Sequence, residues 1–453
     1  MSMENFKTIV LINLVVISLF LTFNLWTYVP DSTSVQNTKF VQGNEEINPI
    51  KISGVVRPSS VIVHKEKNHY VSENTNNVNS LYKILENGEL HDFREITGTV
   101  PKGDFLSYVH GEEKIEFVFP TNVPLETIKD MFNIKDKNLE SNRGFNRIVI
   151  DPSRSKDQEI KVNFISYDNP RRIYQAMLSG AYVKDVINDQ NRFITLAKPY
   201  FEYQVNDTKK LFLPDGITEL NQIEYFVSGL DVDSFKNVLF SDPRYLSPIT
   251  EKSKETFTDG IRSMEIDKLN LMLKYKNSAV YSDKVTDNAM LLKKSFDFVS
   301  GHSGNLNSYR LDYINKGKTS FRLYEGGLPV FNADGMAELK QAWGSGEIMQ
   351  YERSLFDFNI PLPSTPTSLA SGRTVMTSLE NNPEIDKNSI QDVGIGYKMS
   401  LKSSVNGGPV NGGPVNGGEI SILQPIWYVK CDEEGKQKIY EWSEGGLNGL
   451  GSN

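Results

Sequence analysis

The chain of 453 residues has a single cysteine, Cys431, so it cannot close an internal disulfide. Its stability must therefore come from apolar cores, and a 38% hydrophobic share over this length is enough for two or three ordinary domains. Basic residues are not in excess: 49 Lys and Arg stand against 57 Asp and Glu, a net charge of −8. That balance gives no footprint for nucleic acid and a poor grip on an anionic wall or lipid surface. Histidine is scarce too. The five are His64, His69, His91, His110 and His302, and none falls in HExxH or Cys/His zinc spacing, so no metal and no cofactor are expected. His64 and His69, five apart in a strand-like region, read as surface residues. The chain also lacks a GxSxG elbow, the SxxK-type motif triplet and a GxxxxGK[ST] loop. Cys431 follows the strand core "WYVKC" and reads as a half-buried packing residue rather than a nucleophile.

Paired carboxylates are the remaining catalytic candidates, because two of them in a cleft would suit glycoside hydrolysis. Asp231 with Asp233, and Glu265 with Asp267, have the right residue types, but among 57 acidic residues such pairs arise by chance. Asp231 and Asp233 suit a helix N-terminus better. "LPSTP" at 362–366 has proline where a sortase signal needs glycine, and no apolar tail follows it; it reads as a loop.

What the sequence does have is a long apolar run. From Thr8 to Tyr28 no charged side chain interrupts Leu, Ile, Val and Phe. As a helix this segment is roughly 31 Å long, close to the bilayer hydrocarbon thickness of about 30 Å. A core helix would be shorter and apolar on one side only. An export label would carry a shorter run and a small-x-small cleavage site; here the run ends in Trp26 and Tyr28, aromatics that settle at a membrane interface, and Val29-Pro30-Asp31 offers no such site. The expectation is a membrane helix over 8–28 behind a cytoplasmic tail of 1–7. Everything after it is then extracytoplasmic, in a single-pass cell-membrane protein. Asn13 and Asn24 are eleven residues apart, within about 20° of one helical face, with Ile17 and Phe20 between them. Amides in such a stripe favour contact with other membrane helices.

Residues 29–49 read as a polar linker. Three α+β blocks follow, at 50–192, 193–302 and 303–453, with no regular β-α-β alternation. The first opens with a strand over "KISGVVRPSSVIVH" and contains helices in "NVNSLYKILENG" and "PLETIKDMFN" and a hairpin of "NRIVID" with "EIKVNFISY". The second has a helix in "DVDSFKNVLFSD", a hairpin of "GIRSMEID" with "NLMLKYKN", and a helix in "DNAMLLKKSFDFVSG" closed by Gly301. The third opens with two strands around Lys316-Gly317-Lys318 and closes with "VGIGYKMSL" and "EISILQPIWYVKC". Between these last two, Val405 to Glu419 reads VNGGP, VNGGP, VNGGE, an enlarged hairpin loop. "EWSEGGLNGLGSN" reads as a loose end.

Several segments, in order along the chain, resemble the YycH family: "LFLTFNLWTY", "LFSDPRYL", "FTDGIRSMEID", "FRLYEGGLPVF", "WGSGEIMQYERSLF" and "LQPIWYV". The resemblance implies a non-enzymatic, membrane-anchored accessory regulator of the YycG/WalK sensor histidine kinase of low-GC Gram-positive bacteria, working beside YycI to influence cell-wall metabolism. It further implies one N-terminal membrane helix, a three-domain extracytoplasmic α+β body, and contacts among membrane helices. The polar stripe of Asn13, Ile17, Phe20 and Asn24 is the natural contact face. The alternative is an extracellular binding module for a wall fragment or peptide, tethered by its helix. A homo-oligomer is compatible with either reading.

Overall fold

The computed structural model describes residues 51–452 apart from 137–138, 140–142, 157, 169, 282–286, 303–305, 345, 384, 404–418, 434–435 and 445; of the N-terminal segment it describes residues 7, 11, 14, 15, 17–19 and 22. The chain divides into two compact units, Met1–Gly43 and Asn44–Asn453. In the first, the described residues are helical and exposed, and the Thr22 hydroxyl donates to the Ser18 carbonyl at 2.8 Å. Among the described residues no helix is long and apolar enough to cross a membrane. Most of the run 8–28 lies outside them, as does the VNGGP repeat up to Gly418.

The large unit is α+β, built on two extended and mostly antiparallel sheets. The first has ten strands between Ser60 and Pro214, and the second has sixteen between Thr218 and Ser452. In the first sheet the hairpin Ser60–Lys65 and Asn68–Ser72 lies beside Ile115–Pro124, then Gly144–Lys156, Glu159–Ser166 and Arg172–Ser179. The strands Lys198–Asn206 and Lys209–Pro214 extend the other edge, with His69 opposite Tyr200. Over this sheet lies the helix Thr75–Asn87. Asn74 caps it by accepting from the amides of Asn76 and Asn77, and Val78, Leu81, Tyr82 and Leu85 form its buried stripe.

The second sheet carries the long hairpin Ile390–Ser403 with Glu419–Glu433, whose register runs from Ile390 opposite Cys431 to Ser403 opposite Glu419. One core joins the two sheets, from Val61 and Phe117 through Phe298 and Tyr351 to Leu423. A smaller core gathers Trp427, Val429 and Cys431 under the helix Gly372–Glu380. Polar contacts add to the seam: the Arg310 guanidinium donates to the Pro58 carbonyl at 3.0 Å, and Gly327, at φ +95°, presses against the backbone of Glu73.

Three local expectations need correction. Ile52–Val55 is a helical turn, and the strand starts only at Ser60, because Pro58 separates the two. The C-terminal stretch is not loose: Lys436–Ser443 and Gly446–Ser452 are paired strands, and Leu450 is buried. Its many glycines leave few side chains to show a period, and backbone pairing makes the strand. In "LPSTP", the strand Thr365–Leu369 already includes the last two residues and pairs with Thr218–Gln222.

Candidate functional site

The hairpin turn Glu66-Lys67 has φ of 51° and 62°, the double left-handed geometry of a type I′ connection, and it places His64 opposite His69. Two residues between strands put positions i and i+5 face to face on one side of the sheet. His64 is therefore 1% exposed and not a surface residue. Phe212, from Lys209–Pro214, covers both rings, with centroid separations of 5.4 Å to His64 and 4.7 Å to His69. A half-buried His69 thus borders solvent while His64 is sealed.

Four more elements aim side chains at the same point. Glu116, 1% exposed, projects from Ile115–Pro124 on the face that Ile62 and His64 share. His110 closes the short helix Phe105–Val109. Arg147 comes from Gly144–Lys156, and Tyr167 follows directly after Glu159–Ser166. His64 Nε2 lies 3.2 Å and His110 Nδ1 2.8 Å from Glu116 Oε2, while Arg147 Nε donates to Glu116 Oε1 at 2.8 Å. Outside this centre, His64 Nδ1 is 2.8 Å from His69 Nδ1, and His110 Nε2 is 2.9 Å from the Tyr167 hydroxyl, which also accepts from the Lys210 amide at 2.9 Å.

An ionised Glu116 fixes the protons of this chain. Both facing ring nitrogens donate to it, so His64 Nδ1 accepts from His69 and His110 Nε2 accepts from Tyr167. Burial alone would raise the Glu116 pKa, but His110, His64 and Arg147 overcome it and hold the carboxyl well below the ordinary range. Burial pushes His64 down, against the pull of Glu116. Burial and the neighbouring His64 lower His69 to about 4. At neutral pH His64 and His69 are thus neutral, beside a carboxylate that Arg147 pairs.

A cavity of about 110 Å³ adjoins it, bordered by His110, Glu116 and Arg147 on one side and by Tyr324, Asp392 and Tyr428 of the second sheet on the other. A second buried network lies in the second sheet: Arg322 bonds Asp312 at 2.8 Å and Glu338 at 2.9 Å, and Lys430 reaches Asp312 at 3.3 Å. None of these groups is a nucleophile poised on a base. The cluster can order protons or hold a cation, and sequence spacing pointed to neither.

The acidic pairs do not form a cleft. Asp231 caps the helix Val232–Leu239 by accepting from the amides of Asp233 and Ser234, and Asp233 pairs with Lys236. Glu265 pairs with Lys254, and Asp267 accepts from the amides of Leu269 and Asn270 in a turn. Cys431 is buried more deeply than expected, at 2%. Of the membrane-stripe residues, Ile17 is helical and 54% exposed, while Asn13, Phe20 and Asn24 lie outside the described residues.

Two family models match the chain: YycH protein, N-terminal domain, over residues 4–194, and YycH protein, C-terminal domain, over residues 208–442. A curated relative from Bacillus subtilis (strain 168), named two-component system WalR/WalK regulatory protein YycH, is 22% identical over 446 residues, covering 95% of each chain. The crystal structure of YycH from Bacillus subtilis superposes with a TM-score of 0.71, covering 88% of this chain and 98% of that one at 19% identity, which shows a shared fold.

Proposed function

The chain belongs to the YycH family, and from that membership we propose that it is a non-enzymatic regulator of a WalK-type sensor histidine kinase, acting with a YycI-type protein through membrane-helix contacts. The observation that carries the regulatory reading is the match along 95% of a relative named for WalR/WalK regulation. Supporting the membrane part, Leu11, Leu14, Val15, Ile17 and Leu19 are 51–66% exposed. At 100° per residue these five spread over an arc of about 200°, wider than the apolar stripe of a helix that packs on one core, an arrangement that suits lipid and neighbouring helices better than water.

In this reading residues 8–28 span the cell membrane, and the body, in blocks 50–192, 193–302 and 303–453, lies outside. A kinase that toggles between two states is biased only by a partner that binds one state better. Asn13 and Asn24, with Ile17 and Phe20, would supply that preference, each amide contributing about 1 kcal/mol against a polar partner. The test replaces Asn13 and Asn24 by Leu and reads a kinase-dependent reporter. Changed output at unchanged membrane level supports the contact; unchanged output moves the active surface to the body.

One observation favours the tethered-sensor alternative: a groove of about 780 Å³ bordered by Leu220, Ile223, Leu328, Pro361 and Tyr397, large enough for a peptide. Exchanging the helix for an unrelated one would leave such a sensor's regulation intact.

A further inference from the structure

We infer that His64 Nε2, His110 Nδ1 and Glu116 Oε2 form a zinc(II) site. The three atoms lie within 4.8 Å of one another on three different elements. Ligand atoms on tetrahedral zinc, at about 2.0–2.1 Å from the metal, stand roughly 3.3 Å apart. The spacings to Glu116, 3.2 Å from His64 and 2.8 Å from His110, open by up to about half an ångström, and the two ring nitrogens, within 4.8 Å of each other, draw together onto the metal. Two imidazoles and one carboxylate without a thiolate are a donor set that zinc takes and shares with iron(II), and the adjoining 110 Å³ cavity has room for a water as the fourth ligand of a tetrahedral zinc.

The surroundings are those of a metal centre. Each first ligand is oriented from behind, His64 by His69, His110 by Tyr167 and Glu116 by Arg147, the outer partners that fix ring orientation and tautomer. These partners also let the ring protons move to the side away from the metal. When the metal takes His64 Nε2, the ring proton moves to Nδ1 and is donated to His69 Nδ1. His69 then carries its own proton on Nε2, 3.6 Å from Glu202. When the metal takes His110 Nδ1, the proton moves to Nε2 and is donated to the Tyr167 oxygen. The rings thus keep a hydrogen-bonded partner on the side away from the metal, and the Tyr167 hydroxyl, which then accepts from both His110 and the Lys210 amide, turns its own proton away from His110. Arg147 and the buried Lys114 are opposing charges; Arg147, bonded to Oε1, keeps Glu116 monodentate, and both weaken the site relative to one without nearby cations.

The test uses tag-free full chain in detergent, titrated with zinc and, separately, with cobalt(II). Expected are one metal per chain retained after gel filtration, and the intense visible bands of four-coordinate cobalt. H69Q, which leaves all three ligands in place, should bind about 10–100-fold more weakly. E116Q should lose both retention and the bands; because loss of this buried carboxylate also threatens the first sheet, the cobalt spectrum of the unaltered chain stands as an independent measurement. No retained metal, or six-coordinate cobalt bands that persist in E116Q, would overturn the assignment, the first leaving a purely hydrogen-bonded cluster and the second a surface site.

Discussion

His302 allows a sharp test of the packing account. Its ring lies edge-on to Phe298 at 4.5 Å, Phe235 at 5.7 Å and Tyr351 at 5.7 Å, and its nitrogens are shielded from solvent. Burial, with the Arg353 guanidinium adding repulsion, lowers its pKa to about 3. Protonation is therefore easier in the unfolded chain, where the group titrates near 6.5. The folded state has its full advantage above pH 6.5 and loses it as pH falls toward 3, at about 1.4 kcal/mol per pH unit. Between pH 7 and pH 5 this one side chain costs about 2 kcal/mol of stability. His302→Leu, similar in size and apolar, removes that cost. Urea unfolding of the two chains across this range measures the difference directly, since acid titration of every other group is common to both. The variant should gain about 2 kcal/mol on the natural chain from pH 7 to pH 5. Parallel curves separated by a constant offset would refute the burial argument.

Gly327→Ala should be among the most damaging single changes at the seam between the sheets: a methyl there would meet the Glu73 carbonyl oxygen at 1.9 Å at a φ of +95°, so a loss of about 3 kcal/mol or more is expected in chemical unfolding. Arg322→Met removes the cation that Asp312 and Glu338 share and leaves the first to Lys430 and the second to Lys340, so a cost of about 3 kcal/mol, at the low end for a broken buried pair, should appear in the same measurement. Asp231→Ala removes only an exposed cap, and about 1 kcal/mol is expected.

Much of the body was legible because local signals and burial agreed. Asp231 before an apolar period, Asp287 and Gly301 around "NAMLLKKSFDFVS", and the alternation in "VGIGYKMSL" each marked an element that formed. The His64–His69 hairpin escaped because its turn is Glu66-Lys67, with neither the Asn nor the Gly that normally takes positive φ. The i, i+5 spacing was the one available sign. The rest of the cluster had none: His110, Glu116, Arg147, Tyr167 and Phe212 come from separate elements, and only sheet order brings them together. Gly446–Ser452 was missed because pairing of backbone, and not side-chain period, makes that strand.

The central claim is that the apolar helix is a regulatory contact and not a tether. It is tested most directly by replacing residues 8–28 with an unrelated membrane helix of equal length and reading a WalK-dependent promoter, with the outer body verified at the membrane in equal amount. The account predicts that regulation is lost while localisation is kept. Regulation that survives the exchange unchanged would contradict it.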